Sequence, residues 1–239
     1  MKQLLLLIAS SFLFFSCDFM GGERVNGNGN ETTENRNVTD FKNVASSAPA
    51  DVVLTQSPDY KVQVKGDENL LGYIITETDG NTLKIKVKQG YNLRPQKHLE
   101  ILISAPQFTN ISSDGSGNVT SVNTLSNSDK MTFELSGSGN VEAKIDAPSV
   151  ESHTSGSGDI SFSGKTGDAS LSVSGSGNIH CLGLTTENAS ITINGSGNAD
   201  VYASKQLDIH VNGSGDVRYK GGASVNSHIN GSGSVSKAE

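Results

Sequence analysis

The sequence predicts an all-β chain folded as a right-handed parallel β-helix, a solenoid with rungs of 18–22 residues. Two observations carry that prediction. A short glycine-cornered motif recurs seven times at a nearly constant period, and between recurrences mostly apolar positions alternate with polar ones. A third observation, the low aromatic content of 5% with no Trp, would suit a disordered chain if the apolar residues were not periodic.

The corners come first. Gly-Ser-Gly followed by Asn, Asp or Ser occurs at Gly115/Gly117/Asn118, Gly137/Gly139/Asn140, Gly156/Gly158/Asp159 and Gly175/Gly177/Asn178. It continues at Gly195/Gly197/Asn198, Gly213/Gly215/Asp216 and Gly231/Gly233/Ser234, with steps of 22, 19, 19, 20, 18 and 18 residues. Both glycines are expected to serve the positive φ of a sharp corner, and Asn or Asp to bond its own backbone two residues on. Stacked corners would align these side chains in a structural ladder. Asp159 and Asp216 each stand between uncharged rungs, a spacing that argues against a cation cage.

The strands follow from the alternation. Two, four and six residues before the corner stand Met131/Phe133/Leu135, Ala169/Leu171/Val173, Ala189/Ile191/Ile193 and Leu207/Ile209/Val211, with weaker sets at Val150/Ser152/Thr154 and Val225/Ser227/Ile229. Polar residues lie between them. Period two with one apolar face describes a half-buried strand, and a unit that cannot bury its face alone must stack on its neighbours. The right-handed sense is expected from the chirality of parallel connections.

Before the repeats the chain has three parts. Residues 1–16 combine Lys2 with the apolar run from Leu4 to Phe15, the layout of a signal peptide. Ser16-Cys17 then resembles a lipobox, implying cleavage before Cys17 and its acylation. Residues 17–40 are Gly, Asn, Glu and Thr with almost no apolar side chains, which reads as a flexible tether. Residues 41–110 lack the corner motif but alternate at Val52/Leu54, Val62/Val64, Leu83/Ile85/Val87 and Leu99/Ile101/Ile103, with room for a short helix over 67–74. They are expected to form irregular opening rungs or a β cap on the regular repeats of 111–239, the whole of 41–239 being one fold.

With the repeats laid out, the chain resembles the bacterial lipoproteins called "putative autotransporter adhesin, head GIN domain". The resemblance is carried by the lipobox, by Ala50-Asp51-Val52-Val53-Leu54-Thr55-Gln56, by Asp79-Gly80-Asn81-Thr82-Leu83-Lys84-Ile85 and by the Gly-Ser-Gly-Asn-Val repeats. It implies a β-helix-like fold at the envelope of Bacteroidota-type bacteria, and brings no catalytic residues. The stretch Ala48-Pro49-Ala50 before Asp51 departs from the glycine corner usual there, so the first corner is expected to differ.

Composition narrows the function. With 25 Asp and Glu against 18 Lys and Arg the net charge is −7, and −8 once Lys2 is removed with the leader, a poor balance for nucleic-acid binding. Gly-x-Ser-x-Gly is absent, and seven equivalent serines argue for corners rather than a nucleophile. No cofactor is expected. The one metal constellation is Asp208 with His210 and His228, expected on adjacent rungs roughly 5 Å apart, against a plainer reading as solvated surface histidines. Lys84, Lys86 and Lys88 alternate outward and would either meet an anionic partner or blunt an exposed strand. Cys181 falls on the inward set and reads as a small buried hydrophobe.

The expectation is therefore a non-catalytic lipoprotein anchored through Cys17, at the outer membrane, facing either the periplasm or the exterior. It would present a rigid solenoid to a glycan or an envelope or surface protein. A polysaccharide-processing β-helix enzyme and an envelope accessory or stress lipoprotein are the alternatives.

Overall fold

Alternation along the chain becomes two columns of stacked strands in the computed structural model, which describes residues 22–238. The leader and Cys17 lie outside the described residues. Strand makes up 67% of the chain and helix 2%, arranged as a solenoid of about seven turns. One column holds the strands that run into the corners. It comprises Asn110–Gly115, Lys130–Gly137, the later halves of Val141–Gly156 and Ile160–Gly175, then Leu184–Gly195, Gln206–Gly213 and Ser224–Gly231. All pair in parallel, corner glycine against corner glycine from Gly115 to Gly231. The strands leaving the corners form the second column, ending in Ile179–Cys181, Ala199–Tyr202, Val217–Lys220 and Val235–Lys237.

The inward residues of both columns meet in one continuous core from Phe41 to Val217. Phe133 packs its ring 4.9 Å from that of Phe162 across the interior. Each fully buried Leu or Ile contributes roughly 1.5–3 kcal/mol. Ser152 and Thr154 interrupt this lining, and their buried hydroxyls have no hydrogen-bond partner.

The corner conformation expected of both glycines is adopted by the first alone. From Gly115 to Gly231 the first glycine of each motif has a φ between 128° and 150°, which disfavours any side chain. The second glycines, Gly117, Gly139, Gly158, Gly177, Gly197, Gly215 and Gly233, do not lie in the positive region, which corrects their reading as positive-φ corner residues. Glycine is needed there for lack of space instead. All are buried except the half-buried Gly233, at the end of the stack. A Cβ would lie 2.0 Å from the Ala50 carbonyl oxygen at Gly117, and 2.1 Å from that of Gly117 at Gly139. The same approach is 2.0 Å at Gly158, 1.8 Å at Gly197, 1.9 Å at Gly215 and 2.1 Å at Gly233, each against the second glycine of the preceding rung. At the corner, backbone touches backbone.

The Asn/Asp ladder exists, but its bonds run between rungs, not within a turn. The side-chain oxygen of each corner residue accepts the N–H of its counterpart one rung on. The series runs Asn118 to Asn140 (3.0 Å), Asn140 to Asp159 (2.8 Å), Asp159 to Asn178 (2.7 Å) and Asn178 to Asn198 (3.0 Å). It continues from Asn198 to Asp216 (2.9 Å) and from Asp216 to Ser234 (2.8 Å). Only an acceptor oxygen is needed, so Asn and Asp interchange. Ser234, at the end of the series, only donates. The Ala48-Pro49-Ala50-Asp51 corner does differ in sequence, yet Asp51 is the foot of the same ladder, accepting the Asn118 N–H at 2.7 Å.

The opening segment does not wind in chain order. The rung built from Asn43–Ser46 and Asp51–Gln56 lies directly against Asn110–Gly115 and Val119–Ser126. Its other side is covered by the later strands Thr82–Val87 and Glu100–Ala105. Beyond these the pairing turns antiparallel: Ile74–Asp79 folds onto Thr82–Val87, and Lys61–Asp67 onto Glu100–Ala105. The short helix within 67–74 is Glu68–Leu71. On Thr82–Val87 and Glu100–Ala105 this cap replaces parallel stacking with antiparallel pairs.

For the described residues 22–40, the flexible tether expected over 17–40 is corrected by this cap. Glu31–Arg36 adds antiparallel to Lys61–Asp67, and Glu23–Asn26 pairs in parallel with Tyr91–Arg94. Five of the six residues of Glu31–Arg36 are exposed, so an edge strand held by its backbone leaves no hydrophobic pattern to read. The lock is Asp67, which is wholly buried and accepts backbone N–H bonds from Gly29 (2.7 Å), Gln96 (2.8 Å) and Lys97 (2.9 Å). Burial pushes its carboxyl up, but these three N–H donors and the Lys97 charge outweigh it and hold the group below the usual carboxylate range.

Candidate binding surface

Outward side chains decide what a filled column can do, and the two columns differ. On the strands entering the corners the outward residues are mostly Ser, Thr, Asn and His, and the amides bond one another along the axis. Asn212 donates to Asn194 (2.9 Å), Asn230 to Asn212 (3.0 Å) and Asn188 to Asp168 (2.9 Å). This face spends much of its hydrogen-bonding capacity on itself.

His210 and His228 lie on it in register, as expected, but their ring centroids are 6.3 Å apart and tilted by 50°. Asp208 beside them accepts the amides of Gln206 (2.7 Å) and Asn226 (3.3 Å). Among the described residues no three His, Cys, Asp or Glu side chains are grouped to hold a metal ion. The lysine row is likewise engaged. Lys84 pairs with Asp79 and Lys86 with Glu77 across the antiparallel hairpin, and Lys88 lies 5.7 Å from the centre of the Tyr91 ring. Cys181 is buried, and burial pushes its thiol up to about 12, against a weaker opposing bond from Phe162. Such a thiol is inert at neutral pH.

Several carboxylates are held in close pairs, among them Asp51 with His98 Nε2 at 3.0 Å. Glu151 is flanked by Lys130 and by His153 at 2.9 Å, Asp146 by Lys165 at 3.2 Å, and Glu187 by Lys205 at 2.6 Å. An open groove of about 440 Å³ runs along the second corner past Pro148, Thr166 and Thr186. The charged side chains lining it, Asp146, Lys165 and Glu187, all belong to these ion pairs. None of the seven corner-serine hydroxyls, among the described residues, hydrogen-bonds a histidine.

The strands leaving the corners hold the group of side chains that the sequence reading missed. Parallel pairing sets His180 beside Asp200 and Asp200 beside Arg218, and sets Tyr202 beside Lys220. Arg218 grips Asp200 bidentately, through Nε at 2.7 Å and Nη2 at 2.8 Å. His180 Nδ1 stands 3.8 Å from the same carboxylate. Leu182, in the turn after Cys181, is 39% exposed, and Val122 is the only other large aliphatic so open among the described residues. Every described Phe is in the core, and Tyr60, Tyr73, Tyr91 and Tyr219 pack against it; Tyr202 does neither. The signal was present in the sequence: Tyr202 occupies a polar-parity position between inward Val201 and Ala203.

Solved structures of similar shape come from Bacteroides and Parabacteroides. A "putative adhesin" of Bacteroides fragilis NCTC 9343 superposes with a TM-score of 0.83 at 24% identity, covering 90% of this chain and all of that one. A "putative lipid binding protein" of Parabacteroides distasonis ATCC 8503 gives 0.75 at 29% identity over 91% of this chain and all of that one. A "putative adhesin" from the same organism gives 0.72 at 25% identity, over 90% and 100% of the two chains. No curated protein is significantly similar to it. The glycine-cornered solenoid with its antiparallel cap thus has relatives in shape, and the family model described as "Putative auto-transporter adhesin, head GIN domain" matches residues 40–223, so the chain belongs to that family.

Proposed function

We propose that this chain is a lipoprotein of the cell envelope, held by an acylated Cys17, that presents its solenoid as a non-catalytic, adhesin-like binding module. The observation that carries the reading is the single core running from the cap to the last rungs. It makes the solenoid one stiff body whose polar outer faces are fixed at the spacing of the rungs, near 4.8 Å. Membership of an adhesin-head family, and neighbours described as an adhesin and a binding protein rather than as enzymes, support the same reading.

The lipid-binding description belongs to the Parabacteroides protein. For this chain it is the weaker guide, because Phe, Leu and Ile side chains occupy the interior where an acyl chain would have to lie. The polysaccharide-processing alternative is the weaker reading, because the two carboxylates that line one open groove, Asp168 and Asp208, are taken by side-chain amides, Asp168 by Asn188 and Asp208 by Gln206 and Asn226.

Fractionation of cells expressing the full chain tests the anchor. Cys17→Ala should move the protein from the membrane pellet to the soluble fraction, and a variant that stays in the pellet ends the lipoprotein reading. Protease treatment of intact cells should release the folded fragment if the module faces outward. A protein protected until the outer membrane is opened would place it in the periplasm and end the adhesin role.

A further inference from the structure

We propose that the outward face of Ile179–Cys181, Ala199–Tyr202 and Val217–Lys220 is a platform for an anionic glycan. A sugar ring would lie on Tyr202, and its carboxylate or sulfate would be taken by Lys220 and Arg218. The proposal deepens, and rests on, the reading of the chain as an exported binding module.

Several features single out this face. Tyr202 is the one described Tyr or Phe that neither enters nor packs on the core. An aromatic ring left on an outward position offers flat apolar area at low entropic cost, with a hydroxyl at its edge. Leu182, in the turn that follows the paired Cys181 and Val201, is a further exposed apolar side chain at the end of these strands. No cation covers the Tyr202 ring; among the described residues the cation–ring contact is that of Lys88 with Tyr91.

Charge then selects the ligand. The bidentate bond to Asp200 neutralises Arg218 and fixes its guanidinium, while Nη1 has no protein acceptor among the described residues. Lys220 is exposed and forms no ion pair within the described residues. The platform is therefore locally positive on a chain of net charge −7. Planar donors beside an uncompensated ammonium suit a carboxylate or sulfate. Flat apolar area beside unused donors suits a sugar better than a protein partner, whose interface core would need several fully buried apolar anchors. The opposite face offers the control. Its amides are engaged with one another, and no Tyr or Phe stands outward on it.

The test is binding of the full chain to immobilised chondroitin sulfate and polygalacturonate as anionic probes, with dextran as the neutral one. At least one anionic probe should bind, dextran should not, and added salt should weaken the complex. Tyr202→Ala and Lys220→Glu, each checked for an unchanged circular-dichroism spectrum, should weaken binding about tenfold or more, the scale of one lost stacking or charge contact. His210→Ala on the opposite face should leave it unchanged. No binding to either anionic probe, or equal binding by all variants, overturns the platform. Adhesion of cells bearing the chain separates the two readings. Adhesion that Tyr202→Ala leaves intact overturns the platform and keeps the binding module, and absence of adhesion to any surface overturns both. A protein ligand lost in Tyr202→Ala, with no glycan bound, also overturns the glycan assignment.

Discussion

The column and its cap reach stability by opposite means. In the column each contact is made again on the next rung: glycine on glycine, corner oxygen to corner N–H, aliphatic on aliphatic. In the cap the devices are not repeated from rung to rung. The antiparallel pairings, the helix Glu68–Leu71 and the three bonds to Asp67 have no counterpart elsewhere among the described residues. A repeated device tolerates variation in its side chains, as the exchange of Asn and Asp along the ladder shows, whereas a unique one has no neighbour to share its loss.

The largest effect should come from the close approach of backbones in the column. Gly197→Ala places a methyl group 1.8 Å from a carbonyl oxygen and should cost about 3 kcal/mol or more, read as a lowered denaturation midpoint. Gly222→Ala, where the nearest neighbouring atom is 3.8 Å away, should leave the midpoint nearly unchanged. Equal effects would mean that the corner glycines are not needed for stacking.

Asp67 probes the cap. Its folded carboxyl titrates below the usual carboxylate range, so its contribution is complete above the unfolded value and disappears as pH falls through the folded one. The protection of amides over residues 28–36, corrected for the intrinsic exchange rate, should therefore fall on acidification below about pH 4. Asp67→Asn, which turns one acceptor into a donor facing N–H groups, should lower that protection about tenfold at neutral pH and remove the acid dependence. Protection that is identical in both proteins would remove the lock.

The ladder should give the smallest change. Asn178→Ala removes the acceptor for the Asn198 N–H and should cost about 1 kcal/mol. Asn178→Asp keeps the acceptor but sets a second carboxylate beside Asp159, so its loss should shrink as salt is added. A salt-independent loss would show that the cost lies in the missing Asn178 Nδ2–H bond to Asp159 rather than in charge repulsion.

The sequence was most legible where the physics is local and repeated. Gly-Ser-Gly spacing set the rung length, and inward Ile191 or Leu207 could be read from parity alone, because period two assigns a face without knowledge of the partner strand. Why the second glycine recurs was not legible, since the atom that excludes a side chain at Gly215 belongs to Gly197, one rung away. The Asp51 foot of the ladder was harder to see, since Ala48-Pro49-Ala50 has replaced the glycines. Gly115 meets a looser neighbour there, its Cβ position lying 3.8 Å from the Ala48 oxygen. The strand Glu31–Arg36 was illegible because its partner lies about thirty residues away and its side chains face water.

The chain alone thus determined that strands would stack on glycine corners around an aliphatic core, because those choices rest on the steric limits of each residue and its nearest repeats. Tertiary structure decided that residues 43–56 pack between the cap and the repeats, that Asp67 ties three distant segments, and that His180, Asp200, Tyr202, Arg218 and Lys220 share one face. Those arrangements depend on which strands become neighbours across rungs, and a residue's own neighbours in sequence carry no record of that choice.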